Sequence, residues 1–388
     1  MRIGFLLRAP TQIDAPFFRY LSSRRREDIK VIYTRSDQLT DRVFDAELAR
    51  EISWGIDLLA GYPYAVLPTR KRVSWLVHEL RRQRYDLLVI NGYSDPALLT
   101  GAVAAKLASV PVALRLDTPS FRVERSAKLR LRRVLYAMFR RVYDHFLPVG
   151  RSAAEFLARV GVKPEQMSLF PYTVDLEYFR ARSSISAETK RELRRRHGLP
   201  EGERVVLAVT KFNHREAPWD LLRAHCAMDS PPARLWLVGD GPARPALESY
   251  VQRHACRGVV FGGYLPYPDL PAAYGVADAF VHPPRYEPWG VSVPEALACG
   301  LPVLVSSMVG AGRDLVTPGK NGFIYRAGDP SDLRRKLPQL LDLISSPELQ
   351  PATTRNLAQC HYPALWETIS GVARRCAHPA SGSTDVPR

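Results

Sequence analysis

Two glutamates, Glu287 and Glu295, stand close together in a stretch where a strand, a loop, a short helix and a second strand follow in quick succession. The apolar run Ala279–Val281 ends at a Pro-Pro pair, which cannot continue a strand ladder. Pro294 suits the first turn of a short helix, and Gly300 suits the position just past its last turn. Glu287 is therefore predicted in the loop and Glu295 in the first helical turn.

This arrangement predicts a particular chemistry. In an open parallel sheet, the loop that leaves a strand lines the ligand crevice, and the next helix points its N-terminus there. The backbone amides of Gly290, Val291 and Ser292 would then be available to a phosphate, and a nearby carboxylate suits sugar hydroxyls. Together these groups predict a binding site for a nucleotide-sugar.

The stretch from His282 to Val305 resembles the signature of retaining glycosyltransferases of the GT-B fold, family 4, with its paired glutamates followed by Ala-Leu-Ala-Cys-Gly-Leu-Pro-Val. Other segments in both halves of the chain are similar to the same family: Gln12–Arg19, Asn91–Pro96, Leu114–Thr118 and Pro171–Phe179. The resemblance implies transfer of a sugar from a nucleotide-diphosphate sugar to an acceptor, which is a glycan, a lipid-linked hydroxyl or a small-molecule hydroxyl. A role in polysaccharide or glycoconjugate biosynthesis follows.

The resemblance also implies roles for single residues. Glu295 would contact the ribose of the donor, and Glu287 the sugar being transferred. A strand that runs into a basic loop brings Lys211 to the position of the first of two cations that neutralise the donor diphosphate. The family often carries Lys at the position of Glu216, so Arg215 would have to supply the second cation. A solvated surface charge is the alternative interpretation for both cations.

Two further strand ends are expected near the donor. The turn at Gly239 is not a dinucleotide fingerprint, because Arg244 occupies the third glycine position. Only the backbone of Gly239 is expected to approach the donor. Tyr264 and Leu265 follow another strand end, where the family places the nucleotide base. No Asp-x-Asp occurs in the chain, so metal-independent transfer is predicted, with cations and helix-start amides balancing the diphosphate charge.

Asp117 follows a strand of the first half, at a position where many family members carry His near the transferred sugar. A carboxylate there can bind sugar hydroxyls or can serve as a helix N-cap or turn residue. We therefore name Asp117 with Glu287 and Lys211 as candidate catalytic residues and leave a general-base role for Asp117 open. A donor diphosphate oxygen could itself assist deprotonation of the acceptor.

Two functions of other classes fit parts of the same pattern. A glycoside hydrolase could use Glu287 and Glu295 as acid and nucleophile, which requires two carboxyl groups facing one bond at ~5–9.5 Å. It would have no use for a diphosphate-binding loop. A nucleotide-sugar-binding protein without transfer activity is the second alternative, and retained binding without turnover would favour it.

The elements that must position these residues are predicted from the order of strands and helices. With 388 residues the chain is long for one core, and strands alternate with longer helical segments in both halves. The fold class predicted is α/β, with two Rossmann-like doubly wound domains facing a cleft (GT-B). The predicted limits are an acceptor-side domain at 1–182, a nucleotide-sugar-binding domain at 183–360, a cross-over helix at 361–378 that packs on the first domain, and a disordered tail at 379–388.

The domain boundary is placed in the polar, charged stretch from Arg182 to Glu203, which interrupts the alternation. The strands expected in the first half are Ile3–Leu7, Ile29–Tyr33, Leu87–Ile90, Val112–Leu116 and Phe146–Val149. Those expected in the second half are Arg204–Val209, Arg234–Val238, Val259–Phe261, Ala279–Val281, Val303–Val305 and Gly322–Tyr325.

The formal net charge of +16 is the unusual bulk property of the chain. The predicted helix 126–143 mixes Lys and Arg with apolar residues and could lie on an anionic membrane surface. The alternative is an ordinary amphipathic helix with its basic face in water. No nucleic-acid-binding module is recognisable, so no nucleic-acid partner is expected.

The remaining composition favours an average globular chain, with 46% hydrophobic and 24% charged residues. No apolar run approaches the ~20 residues of a membrane span. The five cysteines are scattered without metal-ligand or disulfide-framework spacing, so reduced thiols are predicted. The resulting expectation is a cytoplasmic protein, which would be peripheral on the inner face of the membrane if helix 126–143 lies on that surface. No cofactor beyond the co-substrate is expected.

Overall fold

The computed structural model describes residues 1–24, 29–40, 42–48, 50–121 and 126–377, leaving out the side chains of Val43 and Ser126. The chain divides into two compact units. The N-terminal unit comprises Met1–Leu39, Leu59–Pro171 and the chain from Tyr362, and the C-terminal unit comprises Thr40–Leu58 and Tyr172–His361. The predicted tail 379–388 lies outside the described residues.

The strands, in chain order, are β1 (Ile3–Leu7), β2 (Ile29–Tyr33), β3 (Arg42–Asp45), β4 (Arg50–Ser53), β5 (Tyr64–Val66), β6 (Leu87–Asn91), β7 (Val112–Leu116), β8 (His145–Pro148), β9 (Val205–Val209), β10 (Arg234–Val238), β11 (Val259–Gly263), β12 (Ala279–His282), β13 (Val303–Ser306) and β14 (Gly322–Tyr325). The predicted strands are confirmed within one or two residues at their ends. Strands β3, β4 and β5 were not predicted, because they are short and lack a clear apolar pattern.

The helices are α1 (Asp14–Arg24), α2 (Arg72–Gln83), α3 (Pro96–Leu107), α4 (Ser126–Val142), α5 (Arg151–Arg159), α6 (Leu176–Ser183), α7 (Ala187–Arg196), α8 (Pro218–Cys226), α9 (Arg244–Arg253), α10 (Leu270–Val276), α11 (Ser292–Ala298), α12 (Gly310–Leu315), α13 (Pro330–Asp342), α14 (Leu349–Leu357) and α15 (Tyr362–Ala377). None of the helices in the described part of the chain is both long and apolar enough to cross a bilayer.

Each unit contains a six-stranded parallel sheet. The strand order is β5-β2-β1-β6-β7-β8 in the N-terminal unit and β11-β10-β9-β12-β13-β14 in the C-terminal unit. The central strands are buried along their whole length, as expected for a parallel sheet covered on both faces. Both units are therefore doubly wound and Rossmann-like, as predicted. The strand order reverses between β1 and β6 in one sheet and between β9 and β12 in the other, and such switch points bind ligands.

The units divide at Pro171 and Tyr172, not in the predicted stretch from Arg182 to Glu203. That stretch contains part of α6 and all of α7, which both pack against α10 in the C-terminal unit. Ser186 is the N-cap of α7 and accepts a hydrogen bond from the backbone of Thr189. The polar composition therefore reflects a solvated helix and its cap, and the interpretation as an interdomain linker is corrected.

The N-terminal unit also takes in the end of the described chain. Helix α15 begins at Tyr362, whose ring packs 5.4 Å from that of Phe17 and 5.2 Å from that of Tyr20. Both partners lie on α1. The predicted helix at 361–378 is thus observed with nearly the same limits, on the predicted domain.

The expectation of five reduced thiols is wrong, because Cys226 and Cys256 form a disulfide with their Cα atoms 5.0 Å apart. Cys226 ends α8 shortly before β10, and Cys256 precedes β11. Since β10 and β11 are parallel neighbours, the segments that enter them meet at one edge of the sheet. This adjacency is a property of the fold and not of the cysteine spacing. Cys299, Cys360 and Cys376 are free.

Candidate functional site

The candidate site lies in the C-terminal unit, at the point where its strand order reverses. Lys211 follows the end of β9, and Glu287 follows the end of β12. These two strands are parallel neighbours, with Val206 opposite Ala279 and Leu207 opposite Phe280. Their carboxyl ends therefore deliver a cation and a carboxylate to the same edge of the sheet.

Gly239, at the end of β10, allows the neighbouring chain ends to approach closely. Its φ is +141°, and a Cβ atom there would lie 1.8 Å from the carbonyl oxygen of Thr210. Only glycine fits this position. The prediction that Gly239 acts through its backbone agrees with this geometry, although contact with a donor stays a prediction.

Lys211 and Arg215 converge on two carboxylates that the sequence did not single out. The ammonium nitrogen of Lys211 lies 2.7 Å from Asp45 Oδ2 and 2.7 Å from Glu47 Oε2. Arg215 donates from Nε to Glu47 Oε1 at 3.0 Å and from Nη2 to Glu47 Oε2 at 3.1 Å. Glu47 thus forms a bidentate pair with the guanidinium and also accepts from Lys211, an arrangement otherwise typical of bound phosphate.

The pKa shifts follow from these contacts. Burial opposes the charged form of Lys211, but the carboxylates of Asp45 and Glu47 outweigh it and raise the pKa of the ammonium group. Burial likewise opposes ionisation of Glu47, and the two cations lower the pKa of its carboxyl below the ordinary value. Lys211 and Glu47 are therefore both charged at neutral pH.

Arg215 also links the candidate glutamates. Its Nη1 atom donates to Glu287 Oε2 at 2.9 Å, and its Nη2 atom lies 2.6 Å from Glu216 Oε1. Glu216 is buried, and burial raises the pKa of its carboxyl to about 7 against the opposing charge of Arg215. Glu216, at the position where the family often carries Lys, thus turns its carboxylate toward the guanidinium of Arg215, and the role of Arg215 as the second diphosphate cation stays a prediction.

The loop and helix that follow β12 have the predicted form. Helix α11 spans Ser292–Ala298 with Pro294 in its first turn, and Gly300 follows with a φ of +82°. Gly290, with a φ of +94°, turns the chain into the helix. Gly290, Val291 and Ser292 therefore stand at the helix start as expected, and binding of a phosphate by their amides stays a prediction.

Glu295 lies deeper than the sequence suggested. Its residue is only 5% exposed, and its Oε2 atom accepts a hydrogen bond of 2.7 Å from the hydroxyl of Tyr274 on α10. Burial raises the pKa of Glu295 to about 8, although the tyrosine bond opposes the shift. Glu295 is therefore largely protonated at neutral pH, and its carboxyl is buried against Tyr274 instead of standing open in a crevice.

His282, at the end of β12, adds a neutral imidazole beneath the loop. Its Nδ1 atom lies 3.3 Å from the hydroxyl of Ser292, and its buried Nε2 atom has no hydrogen-bond partner. Burial lowers the pKa of His282 to about 3. His282, Glu216 and Glu287 offer possible metal-ligand atoms within 4.8 Å of one another. Metal independence accordingly stays a prediction.

The far end of the site, where the base was expected, is covered by the β3–β4 hairpin. Arg50 lies 3.0 Å from Asp240 Oδ2, and its guanidinium carbon lies 5.1 Å from the ring centroid of Tyr264. The hydroxyl of Tyr264 donates to the carbonyl oxygen of Ser53 at 3.0 Å. Leu265 follows and is half-buried.

Asp117 belongs to the N-terminal unit, whereas the other candidate residues belong to the C-terminal unit. It directly follows β7 at the carboxyl edge of its sheet and is half-buried. On the same strand, the buried Arg115 pairs with Asp14 at 3.0 Å. The structure thus places Asp117 at the edge of a sheet where ligands bind.

Sequence reasoning missed Asp45, Glu47 and Tyr274 as parts of this site. Asp45 and Glu47 lie in a segment of the first half without a motif, far along the chain from the cations they contact. Tyr274 lies in an ordinary apolar helix. The one available signal was Glu216, because a carboxylate at a position that often carries a cation implies a rearranged charge network.

Comparison with known proteins finds relatives of both halves of the chain. Residues 18–173 match the family described as Glycosyl transferase 4-like domain, and residues 189–354 match the family Glycosyl transferases group 1. A sulfoquinovosyl transferase of Arabidopsis thaliana is 29% identical over 336 residues, which are 84% of this chain and 62% of that protein. A D-inositol 3-phosphate glycosyltransferase of Thermomonospora curvata is 32% identical over 205 residues, covering 50% of this chain and 47% of that protein.

Solved structures share the fold at low sequence identity. Anabaena HepE in complex with UDP has a TM-score of 0.75 and 19% identity, covering 96% of this chain and all (100%) of that chain. The same protein with UDP-glucose has a TM-score of 0.71, 19% identity and the same coverage of 96% and 100%. The chain spans 62% and 47% of the length of the two curated relatives named above.

Proposed function

This chain belongs to the glycosyltransferases, with a family 4-like N-terminal domain and a group 1 C-terminal domain, and we propose that it is a retaining, metal-independent enzyme that uses a nucleotide-diphosphate sugar. The acceptor is a hydroxyl of a glycan, a lipid-linked molecule or a small molecule. The observation that carries the proposal is that Lys211 and Arg215 both bind the carboxylate of Glu47, and that Arg215 also binds Glu287.

The two cations would bind the diphosphate and neutralise it as it leaves. During transfer, the bond between the anomeric carbon and the phosphate oxygen breaks, and the diphosphate keeps the electron pair. The acceptor oxygen forms the new glycosidic bond, and its proton passes to a donor phosphate oxygen. Lys211 and Arg215 lower the barrier because they are already oriented toward the developing charge.

The remaining candidates take the roles implied by family resemblance. Glu287 binds hydroxyls of the transferred sugar, and its contact with Arg215 joins the sugar and diphosphate positions. Glu295 binds the ribose, which requires the Tyr274 hydrogen bond to yield or to be shared. Tyr264 and Leu265 lie at the base end. Asp117 acts on the acceptor side, with its proton-transfer role open.

The comparison structures support a nucleoside diphosphate donor, since the same fold in Anabaena HepE holds UDP and UDP-glucose. The glycoside hydrolase alternative is disfavoured by the structure, because Glu295 is buried and bonded to Tyr274. Hydrolysis also requires two carboxyl groups that face one glycosidic bond, and it gives no role to the cations Lys211 and Arg215.

Calorimetry with a panel of nucleoside diphosphates, followed by incubation with the matching radiolabelled nucleotide-sugar and candidate acceptors, tests the proposal. We expect one diphosphate to bind, and label to pass to an acceptor without added metal and in the presence of a chelator. Label released only as free sugar would indicate hydrolysis. Binding without any turnover would favour the non-catalytic alternative.

Exposed apolar and basic residues on the N-terminal unit support the proposal that the acceptor lies at an anionic membrane. Helix α4 exposes Leu131, Val134 and Met138 at 69%, 62% and 57%, on one helical stripe. Basic residues of α4 flank this stripe in solvent: Lys128, Arg130, Arg133 and Arg141. The adjoining α3 exposes a second stripe, made by Leu99, Val103 and Leu107. An ordinary amphipathic helix would bury its apolar stripe, so we propose peripheral contact with anionic lipid.

A further inference from the structure

The β3–β4 hairpin carries the two carboxylates that bind the proposed diphosphate cations. We call strands β3 and β4, together with the turn residues 46–48, the acidic hairpin. Asp45 ends β3, and Glu47 lies in the turn that leads to β4. Their oxygens lie at 2.7 to 3.1 Å from Lys211 and Arg215. A phosphate oxygen would need the same N–H donors at the same distances.

The acidic hairpin also covers the other end of the site. Arg50 pairs with Asp240 and lies over the ring of Tyr264, which in turn donates to the carbonyl of Ser53. The hairpin therefore contacts the proposed diphosphate end and the proposed base end together. Its contacts thus extend along the whole length of the proposed donor site.

The construction of the hairpin makes it displaceable. A two-stranded ribbon is marginally stable by itself, and Phe44 on its outer face is 68% exposed. Ile52 and Leu48 are buried and anchor it, while the acidic residues are held by ion pairs that remain partly open to solvent. Each partly exposed ion pair contributes only modestly to stability, so a ligand with a higher charge density can replace these pairs.

We propose that the acidic hairpin is a built-in competitor of the donor: Asp45 and Glu47 occupy the diphosphate position on Lys211 and Arg215 and must leave it when a nucleotide-diphosphate sugar binds. The inference rests on the proposed function, because it assigns the two cations to the diphosphate. Asp45 and Glu47 thereby become residues that set donor affinity.

This arrangement has a defined thermodynamic consequence. If the site is open only in a fraction of molecules, the apparent dissociation constant equals the intrinsic constant divided by that fraction. Removing the competing carboxylates raises the open fraction and tightens binding of every diphosphate ligand by the same factor. The opposite effect is expected if Asp45 and Glu47 merely hold the cations in position, because their loss would then weaken binding.

The test compares the wild type with the double variant Asp45→Asn/Glu47→Gln, using inorganic pyrophosphate and UDP as probes in calorimetry. We expect both probes to bind about 10-fold more tightly to the double variant, corresponding to an open fraction of about one tenth in the wild type. Glu51→Gln is the matched control, since it removes one charge from the exposed face of the same hairpin and should leave both affinities unchanged.

Thermal denaturation gives a second, independent measurement. Without ligand, the double variant should melt below the wild type because it has lost the ion pairs to Lys211 and Arg215. At saturating pyrophosphate the two melting temperatures should coincide, because the wild type has then released those pairs too. Equal or weaker affinity in a folded double variant would overturn the proposal while leaving the proposed function in place. If pyrophosphate and UDP bind to neither protein, the diphosphate site itself is refuted and the inference falls with it.

Discussion

Arg215 and Glu287 are in direct contact, with the guanidinium Nη1 atom 2.9 Å from Glu287 Oε2. The residue proposed for the diphosphate and the residue proposed for the transferred sugar therefore form one hydrogen-bonded unit at the carboxyl ends of β9 and β12. A donor must enter between or beside these groups, so the bond that breaks would lie close to both.

Lys211→Met should weaken binding of UDP by about 10- to 100-fold, because a charge-assisted hydrogen bond contributes roughly 1.5–3 kcal/mol and 1.4 kcal/mol corresponds to tenfold. Calorimetry measures the change. Lys320→Met is the control, since Lys320 pairs with Glu348 on an exposed surface. Equal affinities in the wild type and Lys211→Met would remove Lys211 from the donor site.

Glu287→Gln and Glu295→Gln should differ in what they impair. Glu287 is assigned to the transferred sugar, so Glu287→Gln should reduce turnover while changing UDP affinity little. Glu295 is assigned to the ribose, so Glu295→Gln should weaken UDP binding by up to about 10-fold, since one hydrogen bond contributes roughly 0.5–1.5 kcal/mol and 1.4 kcal/mol corresponds to tenfold.

The glutamine variants preserve shape, which matters because Glu295 is buried against Tyr274. Tyr274→Phe is the matched control: it removes the bond to Glu295 but keeps the carboxyl, and UDP affinity should be retained. Equal losses of UDP affinity in the two glutamine variants would refute the division of roles between the glutamates.

Stability should fall as pH rises toward 8, and Glu295 should be a principal cause. Its carboxyl has a pKa of about 8 in the folded chain against an ordinary value of 4.5. Between these values the folded state keeps the proton that the unfolded state has lost, so raising the pH favours unfolding. Urea denaturation at pH 5.5 and 8.5 should show a smaller pH difference in Glu295→Gln than in the wild type. An identical pH difference in both proteins would contradict the buried, protonated carboxyl.

The double variant Lys128→Glu/Arg130→Glu should lose sedimentation with vesicles of phosphatidylcholine and phosphatidylserine at low salt. Each basic residue near an anionic surface contributes about 1 kcal/mol, so two reversals should weaken binding at least about 10-fold. Arg195→Glu, on the exposed face of α7 in the other unit, is the control and should still sediment. A wild type that ignores the vesicles would refute the membrane surface.

The sequence by itself determined the two doubly wound sheets and the position of the loop between β12 and α11. These follow from local rules: apolar runs form buried strands, Pro294 begins a helix, and Gly300 ends it. It also placed Lys211 at a strand end, since parallel sheets bring ligand-binding residues to one edge. Local sequence patterns predict these strands, helix ends and strand-end residues because each feature depends on residues that are neighbours along the chain.

Only the tertiary structure decided which charges meet. Asp45 and Glu47 reach Lys211 and Arg215 because the fold returns a distant hairpin to the switch point of the second sheet. Glu295 is largely protonated because the fold buries its carboxyl and burial raises its pKa, although the hydrogen bond from Tyr274 on α10 opposes that shift. Burial and charge pairing depend on contacts between residues far apart in sequence. Residue spacing alone could therefore indicate the site, but not the ion-pair partners or the protonation of its side chains.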